Sequence, residues 1–285
     1  MSILSVRSGR LKSRLQMTKS VFTDSGCQCV SRCRSTLPYV AASLLAWCAG
    51  CSRTSPIAYA QTGPEPVPLV ECRRTDDQIK LDGKLDEPAW QKAQIVREFM
   101  VARRDRPPKT ATAVRFLWDS KYIYFAAEME DTDLYADVTK RNGMTWSNDV
   151  IELFLKPSEQ KLAYYEFQVN AANTPLELFF PSRGSGGWQR FGPLTHIGLE
   201  SVTKLRGTLN NWRDKDEGWT VEARIPWADF AETGGAPKPR DTWRYAACRY
   251  DYSVSFERTE LSSTAPVGGD FHAYENYERM RFVGN

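Results

Sequence analysis

The stretch Thr145-Trp146-Ser147-Asn148-Asp149-Val150-Ile151-Glu152-Leu153-Phe154 decides how this chain is read, because a Trp and a Glu interrupt an otherwise ordinary strand pattern. Taken as a strand from Asp149, it alternates: Ile151, Leu153 and Leu155 share one face, and Val150, Glu152 and Phe154 share the other. The first face has the composition of a core. The second sets a carboxylate between apolar side chains with Trp146 just ahead of it, a flat and partly wet surface of the kind that can hold a sugar ring. Aromatic faces stack on the C–H groups of a sugar while a carboxylate accepts hydroxyl hydrogens, so affinity and orientation come from different atoms. The same pattern alone also suits a rim Trp and a Glu facing water.

The next apolar run sharpens the reading. In 164–170, Tyr164, Glu166, Gln168 and Asn170 fall on one face, and Tyr165, Phe167 and Val169 on the other. Pairing the two runs as a hairpin, closed by Lys156-Pro157-Ser158-Glu159, lays both polar faces on one side of the sheet and gathers Trp146, Glu152, Gln168 and Asn170. Working outward, short strand-like runs recur at 79–81, 112–118, 122–129, 176–180, 197–202, 219–225 and 243–251, several bounded by Pro, Gly, Asp or Asn. No long run has helical period. This spacing predicts an all-β fold, a β-sandwich of two mainly antiparallel sheets with a few short helical turns. Acids ahead of Pro88 start one such turn, with Trp90 packed inward as a plug, and 226–230 reads as another.

The ends differ from this body. Residues 1–36 are rich in Ser, Arg and Lys, and 37–50 are largely apolar, too short to span a bilayer comfortably but suited to a signal-peptide core. Residues 1–60 are therefore expected to be a leader, starting at Met1 or Met17. Ala58-Tyr59-Ala60 is an A-x-A exit giving a soluble exported product, whereas Cys48-Ala49-Gly50-Cys51 resembles a lipobox, with Cys51 as the lipidated residue and the only route to a membrane. Residues 61–68, with Gly63, Pro64, Pro66 and Pro68, read as a linker, and 69–283 as the domain. The expected location is exported: secreted, periplasmic or lipid-anchored at the cell envelope.

Of the 38 basic and 35 acidic side chains, 30 and 34 lie beyond residue 60, so the body is weakly acidic and lacks the basic stripe that nucleic-acid binding requires. Five of the seven cysteines lie in the leader. Cys72 and Cys248 remain, and they form either one disulfide or two separate buried thiols. Asp131, Asp133 and Asp137 are spaced on a loop after a strand, a candidate oxygen set for calcium.

Four ordered motifs, Leu81-Asp82-Gly83-Lys84-Leu85-Asp86-Glu87-Pro88-Ala89-Trp90, the Trp146 run, Gly218-Trp219-Thr220-Val221-Glu222-Ala223-Arg224-Ile225-Pro226-Trp227 and Asp270-Phe271-His272, together resemble carbohydrate-binding module family 9 over nearly the whole body. The resemblance implies a sugar-binding β-sandwich, often attached to glycan-degrading enzymes such as glycoside hydrolases, with structural calcium and a terminal sugar held between two Trp rings beside a Glu. Trp146 and Glu152 match the first Trp and the Glu; Gln168 stands where the family pattern has a basic residue. Where a second stacking Trp is expected the chain has Thr264, so Trp188 and Phe191 become candidates for the second wall, or the site is open on one side. The expected function is thus non-catalytic binding of a plant-type polysaccharide or its chain end, in support of extracellular glycan breakdown.

A glycoside hydrolase needs two carboxylates across a bond, and Glu152 and Glu166 lie side by side with no sign of a deep apolar pocket, so no enzyme is expected. A haem-binding electron-transfer sandwich has only His196 and His272, with Met100, Met129, Met144 and Met280, and no C-x-x-C-H motif, so no haem is expected. A structural surface domain without ligand is the third alternative. Arg249 is expected to pair with a buried acid rather than to serve the site.

Overall fold

The computed structural model describes residues 69–104, 106–185, 190 and 198–284. The strands are β1 (Leu69–Arg74), β2 (Met100–Val101), β3 (Thr112–Trp118), β4 (Tyr122–Glu130), β5 (Val150–Lys156), β6 (Tyr164–Asn170), β7 (Pro175–Phe180), β8 (Glu200–Arg206), β9 (Gly218–Pro226), β10 (Thr242–Asp251), β11 (Glu260–Ser263) and β12 (Glu278–Val283). A short helix, α1 (Pro88–Lys92), and 3-10 turns at Thr145–Ser147, Trp227–Thr233 and Tyr274–Asn276 punctuate them. The expected leader, the linker, Cys51, Trp188, Phe191 and His196 lie outside the described residues.

The strands form one hydrogen-bonded path, β7-β6-β5-β10-β12-β1-β3-β4-β9-β8, with β11 beside β10 and β2 beside β11. Neighbours are antiparallel except at β1, which runs parallel to both β12 and β3. The path folds over so that its two halves enclose a common core. Ile151, Leu153 and Leu155 of β5 and Phe167 of β6 pack from one side, and Phe116, Phe125 and Val221 from the other. The Phe116 ring meets Tyr245 of β10 edge-on, 5.2 Å between centroids. The fold is the expected all-β sandwich, but its two layers are a single mixed sheet, because β1 bonds to a strand of each half.

Local chemistry explains the elements. Between β3 and β4, Asp119 Oδ1 accepts from the backbone N–H of Lys121 (2.6 Å) and Tyr122 (2.7 Å), a side-chain-closed turn. After β5, the Lys156 ammonium donates to the Lys161 carbonyl at 2.7 Å and also to that of Ser158, closing the expected hairpin loop. Residues 79–81 are not a strand. Ile79 instead packs with Trp90 and Leu117 in a small cluster beneath α1. Trp90 is the expected plug, 1% exposed, and its Nε1 donates to Glu222 Oε1 at 2.9 Å. The other Glu222 oxygen accepts from Asp82 N (2.9 Å) and Gly83 N (3.0 Å), tying the loop to β9. Gly83 has φ +75°, and a Cβ there would lie 2.9 Å from Lys204 Cβ, so both conformation and space call for glycine.

Cys72 and Cys248 are free buried thiols, the second of the two readings left open by the sequence. Cys72 belongs to the central core and Cys248 to the cluster on the outer face of β5, β6 and β10, with β12 between their strands. Burial raises both thiols well above their ordinary pKa and keeps them unreactive.

Candidate functional site

The outer face of β5 and β6 carries the site. Register pairs Glu152 with Gln168, Phe154 with Glu166 and Val150 with Asn170, so the polar faces of the two strands coincide as expected. The surface is not flat. Residues 264–277 pack over it, and a cleft of about 600 Å³ remains, with Trp146, Glu152, Glu166, Gln168, Tyr250, Phe271 and His272 among its lining residues.

Trp146 is presented by a locked turn. Asn148 Oδ1 accepts from Val138 N (3.0 Å) and from Asn170 Nδ2 (2.9 Å). Asp149 accepts from Tyr135 N and Tyr252 N, both at 2.6 Å, and the Tyr252 hydroxyl donates to the Trp146 carbonyl at 2.8 Å. These bonds explain the Ser-Asn-Asp that follows the Trp in sequence. They also place Asn170: its side chain is committed to Asn148, to the Val138 carbonyl and to Thr174 N, and it does not line the cleft.

At the floor, Thr145 Oγ1 donates to Gln168 Oε1 (2.5 Å) and Gln168 Nε2 donates to Glu166 Oε1 (2.5 Å), which fixes the orientation of the amide. Among the described residues the Glu152 carboxyl has no hydrogen-bond partner. Glu152 is 2% and Glu166 5% exposed, deeper than the sequence suggested. Burial, and then the Glu166 charge, push Glu152 well above the usual carboxylate range; burial raises Glu166 to about 7. The depth comes from neighbours that strand alternation does not show. The Tyr250 ring meets Phe271 edge-on at 5.6 Å, and His272 sits edge-on to Phe154 at 5.4 Å while sharing a 2.9 Å hydrogen bond between its Nδ1 and the Tyr164 hydroxyl. Burial lowers the His272 pKa, so its imidazole is neutral at pH 7.

Thr264 stacks on nothing. Its Oγ1 accepts from Ala247 N at 3.2 Å and its N–H donates to Ala247 O at 3.0 Å, placing it within the sheet edge. Phe180, Tyr250 and Phe271 are aromatic cleft residues to which sequence reasoning gave no role in the site. Tyr250 was detectable, since Tyr245, Ala247 and Arg249 on the core face of β10 leave Ala246, Cys248 and Tyr250 facing the cleft.

Of the calcium candidates, only Asp131 joins a cluster. Its oxygens converge with those of Asp149 and Asp251 within 4.8 Å. Asp133 accepts from Val254 N, and Asp137 is engaged by Tyr135 and Asn148, so those two are turned elsewhere. Arg249, 1% exposed, donates to Asp131 Oδ2 at 3.1 Å and pairs with Asp251 Oδ2 at 3.2 Å, the structural role expected of it. Asp251 Oδ1 is buried with no partner among the described residues. Three carboxylates against one guanidinium, with an orphaned oxygen, are a donor set that fits a hard cation.

A β-sandwich with an aromatic cleft floored by carboxyl and amide groups on one sheet face defines a ligand-binding domain. The two carboxyls stand side by side on that face, not on opposite sides of a bond as glycoside hydrolysis requires. Residues 81–259 match the family described as carbohydrate family 9 binding domain-like, and the chain belongs to that family of binding modules rather than to a catalytic one. It is 32% identical over 158 residues to endo-1,4-beta-xylanase A of Thermotoga maritima, covering 54% of this chain but only 12% of the xylanase. A family 9 carbohydrate-binding module from Caldicellulosiruptor kristjanssonii shares the fold at 16% identity. Its cellotriose complex gives a TM-score of 0.53 over 76% of this chain and 95% of that one, and its glucose complex 0.52 over 76% and 97%.

Proposed function

We propose that this domain binds a carbohydrate without catalysing its breakdown, holding a sugar ring against Trp146 with its hydroxyls on Glu152, Gln168 and Glu166. The observation that carries this reading is Glu152: a buried carboxyl at the floor of an aromatic cleft, with no hydrogen-bond partner among the described residues, is complementary to a ligand that supplies hydroxyl hydrogens. The named cellotriose and glucose complexes of the Caldicellulosiruptor module, and the xylanase relatives, favour a plant-type glucan or xylan or its chain end. Within the same proposal, the protein is exported, through residues 1–60 or a lipid on Cys51, and acts beside glycoside hydrolases. Calcium held by Asp131, Asp149 and Asp251 would neutralise charge where the 131–137 loop meets β10.

Isothermal titration of the full chain with cellobiose, xylobiose and their reduced alditols tests the reading. Saturable binding that weakens about tenfold or more in Trp146→Ala is expected, from the loss of a stacking platform worth on the order of 1–1.5 kcal/mol beyond its buried area. Loss of binding on reduction would assign recognition to the reducing end. A folded protein that gives no heat with any of these sugars would overturn the proposal.

A further inference from the structure

We propose that a basic pocket beside the cleft binds the anionic substituent of an acidic glycan, a carboxylate or sulfate carried next to the sugar ring that occupies the cleft; this rests on the carbohydrate-binding reading above. The pocket, about 690 Å³, abuts the cleft directly, since Ala102, Leu261 and Gly269 line both. Among the described residues its charged lining is one-sided, with Arg103, Arg104, Arg106, Lys109 and Arg258 against two carboxylates. One of these, Glu260, is already spent on the Arg106 guanidinium and Lys109 N. Arg103, Arg104 and Arg258 are exposed and make no ion pair among the described residues. In a body with more acids than bases, this concentration of cations is local.

The pocket is also built. Ala102 N donates to Leu261 O (2.8 Å), Arg104 N to Val101 O (3.1 Å) and Val101 N to Arg106 O (2.8 Å), pinning the arginine loop to β11. The Arg103 guanidinium lies across Gly269, where a Cβ would fall 1.8 Å from its Nε. Glycine thus lets this cation sit on the border of the two cavities. Lys109 Nζ is held 3.8 Å over the Phe256 ring. Guanidinium forks match the paired oxygens of carboxylate and sulfate, and converging cations in a concave wall raise the local potential. The cleft floor carries Glu152 and Glu166, which repel an anionic group once ionised and offer it no cation when neutral, so the anion is drawn here and the saccharide takes one orientation.

The test is titration of the full chain with xylotriose against xylotriose bearing a glucuronate branch, and with cellotriose against its sulfate ester, at about 20 and 300 mM NaCl. An anionic ligand that binds about tenfold tighter than its neutral counterpart at low salt, with the advantage shrinking at high salt, is expected. In Arg104→Ser/Arg258→Ser the ratio of acidic to neutral affinity should fall toward one, and in Arg104→Lys/Arg258→Lys only part of the way. Equal affinities in the native protein, or an advantage that survives the serine variant, would overturn the pocket while leaving the sugar site standing. Absence of binding by every ligand would remove the sugar site and the pocket together. The glucuronate and sulfate arms distinguish the two anions.

Discussion

The Glu152 carboxyl, which has no hydrogen-bond partner among the described residues, lies beside Glu166, whose pKa is about 7, and makes the cleft responsive to pH at the level of single residues. Hydroxyl hydrogens bond an ionised carboxylate more strongly than a neutral acid, so a sugar favours the ionised pair. The sign follows: affinity for a neutral oligosaccharide should rise as pH passes upward through about 7, read as Kd across pH 5.5 to 8.5. Glu166→Gln should flatten that rise, and a profile unchanged by the substitution would show that Glu166 does not set it. Trp146, Glu152 and Gln168 were legible as a group because period-two alternation and one hairpin put them on one face. Asn170 shares that face too, yet its amide is drawn into the turn by Asn148, a pairing across loops that spacing cannot reveal.

At the scale of elements, one carboxylate organises two distant motifs. Glu222 on β9 accepts from Trp90, Asp82 and Gly83, so the segment 81–90 is fastened to the sheet by a single side chain. Glu222→Ala strands three donors, two of them buried, and should cost about 2–4 kcal/mol of stability, read as a fall in the denaturant midpoint; Glu222→Gln should cost less, since an amide oxygen can still accept. Strands such as β3 and β6 were readable to the residue because alternating β-branched and aromatic side chains end at turn formers. β1 and β12 carry alternation as well, in Leu-Val-Glu-Cys and Glu-Arg-Met-Arg-Phe-Val, but charged side chains between the inward ones mask it. β11, Glu-Leu-Ser-Ser, has no strand signal of its own and forms because β10 offers it an edge. The carboxylate cluster around Asp131 was only partly legible for a related reason. Sequence proximity suggested Asp133 and Asp137, whereas Asp149, just ahead of β5, and Asp251, at the end of β10, meet Asp131 only after folding.

For the whole molecule, buried carboxyls set the pH window of stability. Burial holds Glu166 and Glu278 at about 7, above their unfolded values near 4.3. Groups raised in this way stabilise the fold while protonated, and that contribution is lost as pH rises through about 7. Without ligand, the melting temperature should therefore fall by about 5 °C between pH 5.5 and 8.5, and a saturating sugar should narrow the difference by favouring the ionised state. Chelation tests the carboxylate cluster at the same scale: EDTA should lower the melting temperature and added calcium restore it, while indifference to both would assign charge balance at Asp131, Asp149 and Asp251 to Arg249 alone. The parallel pairing of β1 with β12, Leu69 opposite Arg279 through Arg73 opposite Val283, has a mechanical meaning. Polypeptide joined ahead of Leu69 and polypeptide joined after Val283 leave opposite ends of this ladder, about 13 Å apart along the strands. Tension between them would load the ladder in shear, all its bonds together, instead of peeling it open one bond at a time.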